Sequence, residues 1–206
     1  NPADERKVSL IAIHAHGIPD DFPESVIEET RDLKPPVLAG RTDLRGLPLV
    51  TIDGPDARDF DDAVFAQRRS NGWRLVVAIA DVSAYVKPGS RLDQEALKRA
   101  TSVYFPQRVI PMLPEALSNG LCSLKPDEER LCLVCDMSIN EAGTVTRSRF
   151  DAAVMRSQAR LTYTQVWEWL VSGTPEIRPG AAGASASLKD LYGLYKALRR
   201  ARTQRG

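Results

Sequence analysis

Apolar and polar residues alternate with a period of two over much of this chain, and stretches of helical period separate the alternating runs. "KVSLIAIHAHGIP" (7–19) reads as an alternating strand closed by Gly17 and Pro19. "DFPESVIEETRDL" (21–33) has helical spacing, with Pro23 in its first turn and Glu24, Glu28 and Glu29 toward the positive end of the helix dipole. "KPPVLAGRTDLRG" (34–46) holds two prolines, two glycines and no period, which predicts a linker. From Leu47 the pattern becomes strand-like again, over 47–53, 63–69 and 73–82, and Asn71-Gly72 supplies a hairpin turn between the last two. The run "WRLVVAIADV" is almost wholly apolar, as in a strand buried on both faces.

Farther on, 91–100 reads as a short helix and 129–161 as a hairpin turning at "NEAG". Thr162 is placed to cap a helix over 163–171. "SGTPEIRPGAAGASAS" (172–187) is low in complexity and reads as mobile, and 188–205 reads as a basic amphipathic helix. There is no internal repeat. Strands and helices alternate without a strict βαβ rhythm, so the expected class is α+β, a mixed β-sheet with flanking helices.

Composition adds limits more than direction. A chain of 206 residues makes one large domain, or one domain and a piece of another. Its 43% apolar and 27% charged content is that of an ordinary globular protein. No run approaches the ~18 apolar residues of a membrane span, and no charged-then-apolar leader opens the sequence, so export is not expected. Three cysteines fit reduced thiols in a cytoplasm. The net charge of +1 conceals two opposite fields. Residues 189–205 carry six basic side chains and one acidic, whereas 53–62 carry five aspartates and one arginine.

That acidic stretch, "TIDGPDARDFDDAVF" (51–65), changes the picture. Crowded carboxylates repel, and burying them unpaired costs several kcal/mol or more. Asp53 closes a strand, and Asp59, Asp61 and Asp62 are nearly contiguous six residues later, so a loop bending back turns all four toward one point. Hard divalent cations take carboxylate oxygens and water, which suits Mg²⁺ or Mn²⁺; without a neighbouring histidine or cysteine, zinc does not fit. A calcium loop fails on spacing, since Ala63 stands at its fifth position and no Glu at its twelfth. The competing reading is a solvated acidic loop, which the strongly apolar strands on either side disfavour.

These residues, with "WRLVVAIADVSAYVKPGSRLDQEALKRATSVYFP", "VIPMLPEALSNGLCSLKP" and "SQARLTYTQVW", closely resemble the catalytic domain of the ribonuclease II and ribonuclease R family, nearer to the ribonuclease R branch. The resemblance runs from about Gly40 to Leu170. It implies a processive, Mg²⁺-dependent exoribonuclease that takes single-stranded RNA from its 3′ end and releases 5′-mononucleotides. It implies that Asp53, Asp59, Asp61 and Asp62 hold the metal (Mg²⁺, with Mn²⁺ an alternative), that Asp56 does not, and that Asp61 matters most for turnover. It also implies that Tyr104 stacks on a base at the 3′ end. The stretch 110–126, with its prolines and the Asn119-Gly120 pair, reads as a loop near the active site, and the full-length parent is expected to be a cytoplasmic monomer with no membrane contact.

Divided on this basis, 1–21 is the end of an OB-type cold-shock domain, 22–46 a helix and linker, and 47–206 the N-terminal part of the catalytic domain. The resemblance further implies that this chain is a fragment, lacking downstream motifs and hydrolysing RNA weakly or not at all on its own. Other residues keep two readings. On sequence alone Tyr104 and Phe105 fit a core pair, and Tyr163 fits either a second RNA-facing aromatic or a core tyrosine at a helix start. Arg58 reads as structural, paired with a nearby carboxylate. Cys132 and Cys135 form a C-x-x-C whose members fall on opposite strand faces, so they read as structural thiols. His14 and His16 share a face of the expected strand but lack a third ligand, which makes a weak metal site. The basic stretch 189–205 fits an RNA-facing surface or an ordinary charged helix. Two other functions stay open, a non-catalytic RNA-binding fragment and a metal-dependent phosphoesterase for small substrates.

Overall fold

The computed structural model describes residues 5–34, 38–106, 108–172 and 182–206. In chain order its elements are α1 (Glu5–Ala15), α2 (Glu24–Arg31), β1 (Thr42–Asp43), β2 (Val50–Asp53), β3 (Asp62–Arg69), β4 (Gly72–Ala80), α3 (Arg91–Arg99), β5 (Val103–Phe105), β6 (Arg108–Ile110), β7 (Glu129–Asn140), β8 (Val145–Arg156), β9 (Ala159–Thr162), α4 (Tyr163–Ser172) and α5 (Ala182–Arg205). Short helical turns occupy Val82–Ala84 and Ala116–Leu121. The α+β class with a mixed sheet is as expected. The chain divides into two compact units, residues 1–35 with 82–121, and residues 36–81 with 122–206.

In the first unit the expected strand over 7–19 is instead the helix α1, and residues 5–21 contain no strand. The OB-type domain end expected over 1–21 therefore has no strand among its described residues. Gly17 does end this element, but the element is a helix. Gly17 adopts φ +58°, its N–H donates to His14 O at 3.3 Å, and the Ile18 N–H reaches back to Ile13 O at 3.0 Å. That pair of bonds is the glycine-terminated helix end, and it satisfies carbonyls that α1 leaves open. His14 and His16 consequently lie at a helix end and share no strand face.

Arg99 organises the rest of this unit. It is 8% exposed, pairs with Glu95 at 2.9 Å, and donates to the backbone oxygens of Pro19 at 2.7 Å and Asp21 at 2.6 Å. Its guanidinium also lies 3.7 Å from the centre of the Phe22 ring. The start of α3 is capped twice: Ser90 Oγ accepts from the Asp93 N–H, and Glu29 Oε2 on α2 accepts from the Arg91 and Leu92 N–H groups.

The second unit is a seven-stranded sheet in the order β1-β8-β7-β4-β3-β2-β9. β1 runs parallel to β8 and β2 parallel to β9; the other neighbours are antiparallel. At the β3–β4 turn Gly72 has φ +134°, and a Cβ there would fall 1.9 Å from Ile139 O, so only glycine fits. β2 is shorter than β3, and α5 covers the N–H groups that β2 leaves unpaired: Ser187 Oγ accepts from Ala66 N at 3.0 Å and Asp190 Oδ2 from Arg68 N at 2.9 Å. Beneath those bonds Ala184 and Leu188 pack with Val50, Ala159 and Leu161, and Leu194 and Ala197 with Ala66, Trp73 and Ile139.

Three local expectations need correction. Helix α5 begins at Ala182, so the end of the stretch expected to be mobile (172–187) is helical; its portion 173–181 lies outside the described residues. β4 is buried on one face, where Val76 and Ala78 are inaccessible, but Ile79 on the other is 47% exposed. The linker 34–46 supplies a strand, β1, and beside it the Arg41 guanidinium pairs with the buried Asp81 carboxylate at 2.6 Å. The thiol reading fits the structure: Cys122 and Cys132 are buried and burial pushes both up to about 12, while Cys135 is half-buried on the opposite face from Cys132.

Breaking one partner of a buried ion pair costs about 3–5 kcal/mol. Arg41→Met is therefore expected to lower stability by that order in urea titrations, and a loss below ~1 kcal/mol would show that the pair is not needed.

Candidate active site

The acidic residues occupy a strand–loop–strand junction in the second unit. Asp53 is the last residue of β2, opposite Thr162 of β9; Asp62 is the first of β3; and the loop 54–61 carries Asp59 and Asp61. A loop so charged would stay open if only its own residues held it, but four neighbours fix its backbone. Arg160 on β9 donates from Nη2 to Gly54 O at 3.0 Å and Pro55 O at 2.5 Å. Ser123 Oγ, fully buried, accepts from the Phe60 N–H at 3.1 Å and donates to Arg58 O at 2.9 Å. The Leu124 N–H reaches Phe60 O and the Ala80 N–H reaches Asp61 O, both at 2.8 Å. Phe60 anchors the far end of the loop, just before Asp61, at 8% exposure.

With the backbone held, the carboxylates repel one another. Burial first, then the charges of Asp62 and Asp59, push Asp53 above the usual aspartate range, and Arg160 partly offsets them. Asp61 is raised by crowding from the protein and by Asp59, Asp62 and Asp53, although it keeps surface to solvent. All four predicted ligands therefore share one electrostatic environment. Asp53 Oδ2 is buried and accepts no hydrogen bond. An acceptor in that state normally costs about 1–3 kcal/mol, more when charged, and asks for a partner.

The donor set, all carboxylate oxygen, fits a hard divalent cation, and the orphaned Asp53 oxygen is the observation that favours one. The fit is incomplete in one respect: among the described residues no three acidic, histidine or cysteine side chains already converge on a single ligating point. Mg²⁺ usually takes only one or two protein carboxylates and completes its shell with water and substrate phosphate.

The remaining candidates fall elsewhere. Tyr104, on β5 in the first unit, and Tyr163, at the start of α4 in the second, are each 66% exposed, so neither is a core residue. Thr162 caps α4 as expected, with Gln165 returning the bond: Thr162 Oγ1 accepts from the Gln165 N–H and Gln165 Oε1 from the Thr162 N–H. Arg58 contradicts its expected ion pair; among the described residues its side chain pairs with no carboxylate, and only its carbonyl is engaged. The stretch 110–126 is not all loop, since Ala116–Leu121 form a wide helical turn, and its later residues Ser123 and Leu124 are those that grip the acidic loop. The basic residues of α5 face solvent. Sequence reasoning missed Arg160 and Ser123, because a lone Arg in a strand and a lone Ser in a loop carry no spacing signal.

Comparison with known proteins bears on this arrangement directly. The model of the RNB domain matches residues 41–206, the span that contains the acidic loop and both of its clamps. The chain belongs to the RNB domain family. Among relatives, this RNB chain is 54% identical over 201 residues to ribonuclease R of Escherichia coli (strain K12), covering 95% of the chain and 25% of that protein. It is 44% identical over 207 residues to ribonuclease R of Thermotoga maritima, covering 96% of the chain and 28% of that protein. The chain thus spans about a quarter of the length of these relatives. Mycoplasma genitalium RNase R in complex with double-stranded RNA superposes with a TM-score of 0.92 at 32% identity, over 100% of this chain and 37% of that one. Yeast Ssd1, a pseudonuclease, shares the fold alone, with a TM-score of 0.64 at 20% identity over 78% of this chain and 19% of that one.

Two predictions follow from this site's electrostatics and packing. Asp53 and Asp61 bind protons more readily folded than unfolded, so without a divalent cation stability falls as pH rises from about 4 through their raised values. Asp43, held down to about 2 by Arg45, loses its contribution only at lower pH. Scanning calorimetry in EDTA is expected to show Tm rising as pH is lowered through these raised values toward about 4, and Asp61→Asn is expected to raise Tm at pH 7 and flatten that rise. A Tm that is constant or falls across the window contradicts the repulsion. Ser123→Ala strands the Phe60 N–H and is expected to cost about 1–3 kcal/mol in urea titration; a neutral substitution contradicts its clamping role.

Proposed function

We propose that this chain is the metal-holding part of a 3′-to-5′ exoribonuclease that hydrolyses single-stranded RNA to 5′-mononucleotides. The observation that carries the reading is the buried, unbonded Asp53 oxygen in a loop shared with three further carboxylates. Its background is family membership and the likeness to ribonuclease R proteins, one of which superposes closely in a complex with RNA. Asp53, Asp59, Asp61 and Asp62 would hold Mg²⁺ or Mn²⁺. A cation there activates water at neutral pH and stabilises charge on the phosphodiester.

The chain's own residues would do the rest. The bonded loop backbone would keep the carboxylates close to one another, and Asp61, partly open to solvent, would orient water or the leaving 3′ oxygen. Tyr104 would stack on the terminal base, an interaction worth about 1–3 kcal/mol and indifferent to sequence, as a processive degrader requires. Exposed Tyr163 would supply a second stacking ring. The cytoplasm is the setting we infer, where three unpaired thiols remain reduced, with the longer parent acting as a monomer.

The yeast pseudonuclease favours a second reading, an RNA-binding fragment without catalysis, because it has the same fold. All four acidic positions are nevertheless filled here. A phosphoesterase of small substrates is separated from both by salt, since RNA binding weakens steeply as salt rises.

The decisive experiment replaces the matching segment of E. coli ribonuclease R with residues 1–206 and offers the chimera single-stranded RNA, its DNA analogue and 3′-phosphorylated RNA, with and without Mg²⁺. RNA is expected to be shortened from the 3′ end only with Mg²⁺, and DNA to survive. Asp61→Asn, which removes charge while conserving volume, is expected to abolish cleavage and leave RNA affinity unchanged. Equal loss of binding and cleavage contradicts the role given to Asp61. The 206-residue chain alone is expected to cleave slowly or not at all.

A further inference from the structure

Among the described residues, Arg160 is the one guanidinium that both lies in the field of Asp53 and bonds the acidic loop. Two roles fit a cation in that place. It could neutralise the carboxylates, or it could shape the loop that carries them. Its hydrogen bonds decide between these. An arginine placed for charge takes a carboxylate in a two-pronged pair, as Arg74 does with Asp136 in the same sheet. Arg160 instead gives Nη2 to two successive backbone carbonyls, Gly54 and Pro55, immediately after Asp53, and its guanidinium lies 5.5 Å from the Phe60 ring. Its Nε is buried and unbonded, yet it does not pair with Asp53 Oδ2, which is buried and unbonded too. The arginine fixes the turn and leaves the ligand atom unused.

We propose that Arg160 is a positioning residue for the acidic site, holding the backbone at Gly54–Pro55 so that Asp53 keeps an unpaired oxygen for a divalent cation. This deepens the proposed function and rests on its cation reading. The sign of the effect separates it from a charge role. Removing a positive charge beside a cation site by itself tightens cation binding, whereas loss of a group that orients ligands weakens it, typically by about 10- to 100-fold.

The test uses the 206-residue chain with Arg160→Met and Arg160→Lys, read by Mn²⁺ uptake in electron paramagnetic resonance and by amide hydrogen exchange without metal. Arg160→Met is expected to raise the half-saturating Mn²⁺ concentration about 10-fold or more and to speed exchange in residues 54–61 while β4 and β7 exchange as before. Arg160→Lys, which can still donate to the carbonyls, is expected to recover part of both. Mn²⁺ binding as tight as, or tighter than, that of the unsubstituted chain overturns the proposal, as does unchanged exchange in the loop. If exchange in β4 and β7 shows that the Met variant does not fold, the Lys variant decides: restored loop protection with restored Mn²⁺ uptake supports the proposal, and protection without uptake overturns it. If the unsubstituted chain takes up no Mn²⁺, the cation reading falls and loop exchange alone judges Arg160.

Discussion

Mutual repulsion among Asp53, Asp59, Asp61 and Asp62 is the constraint around which the second unit is arranged. Like charges in one loop destabilise any fold that confines them, and here two of the four are driven above the normal aspartate range by burial and by one another. A protein with no use for the cluster would relieve it by spreading the loop into water. This one does the opposite. It bonds the loop backbone to β9 through Arg160, to Ser123 and Leu124, and to Ala80 at the end of β4.

The sheet explains how that confinement is borne. β2 and β9 run parallel with Asp53 beside Thr162, so the strand that ends in the first acidic residue is fixed by the strand that carries Arg160. β3, which begins with the last acidic residue, is paired along its length with β4 and closed on its other edge by Ser187 and Asp190 of α5. The apolar packing of α5 against Val50, Leu161 and Trp73 thus stabilises the two strands that set the ends of the loop. Energy from burial is stored in the scaffold and offsets strain concentrated at the site, a division common where function requires a locally unfavourable arrangement.

The sequence made the site legible and the clamps invisible. Five aspartates in ten positions between apolar strands state a chemical requirement without any structure. The β3–β4 turn, the Thr162 cap and the β7–β8 hairpin are equally readable, because each rests on local backbone chemistry, although the turn residues are Ser70 and Asn71 and residues 159–162 leave the hairpin to pair with β2. Residues 7–19 misled because Val, Leu and Ile alternate there with small or polar residues, and period alone does not separate a strand from a short helix. Gly17 was the discriminating residue, as a left-handed helix end. The start of α5 was missed for a related reason: Ala, Gly and Ser look like a linker, yet Ala184 and Ser187 are small because the sheet lies against them. Arg160, Ser123 and the Arg41–Asp81 pair bridge positions far apart in sequence, and one sequence does not reveal which partner a lone polar residue will meet.

Diffraction at the manganese edge from crystals grown with Mn²⁺ tests the central claim most directly, because it locates the metal without reference to activity. The account predicts an anomalous peak within coordination distance of Asp53 Oδ2 and at least one of the other three carboxylates. Well-ordered carboxylates in separate directions, with no peak between them at saturating Mn²⁺, would contradict it.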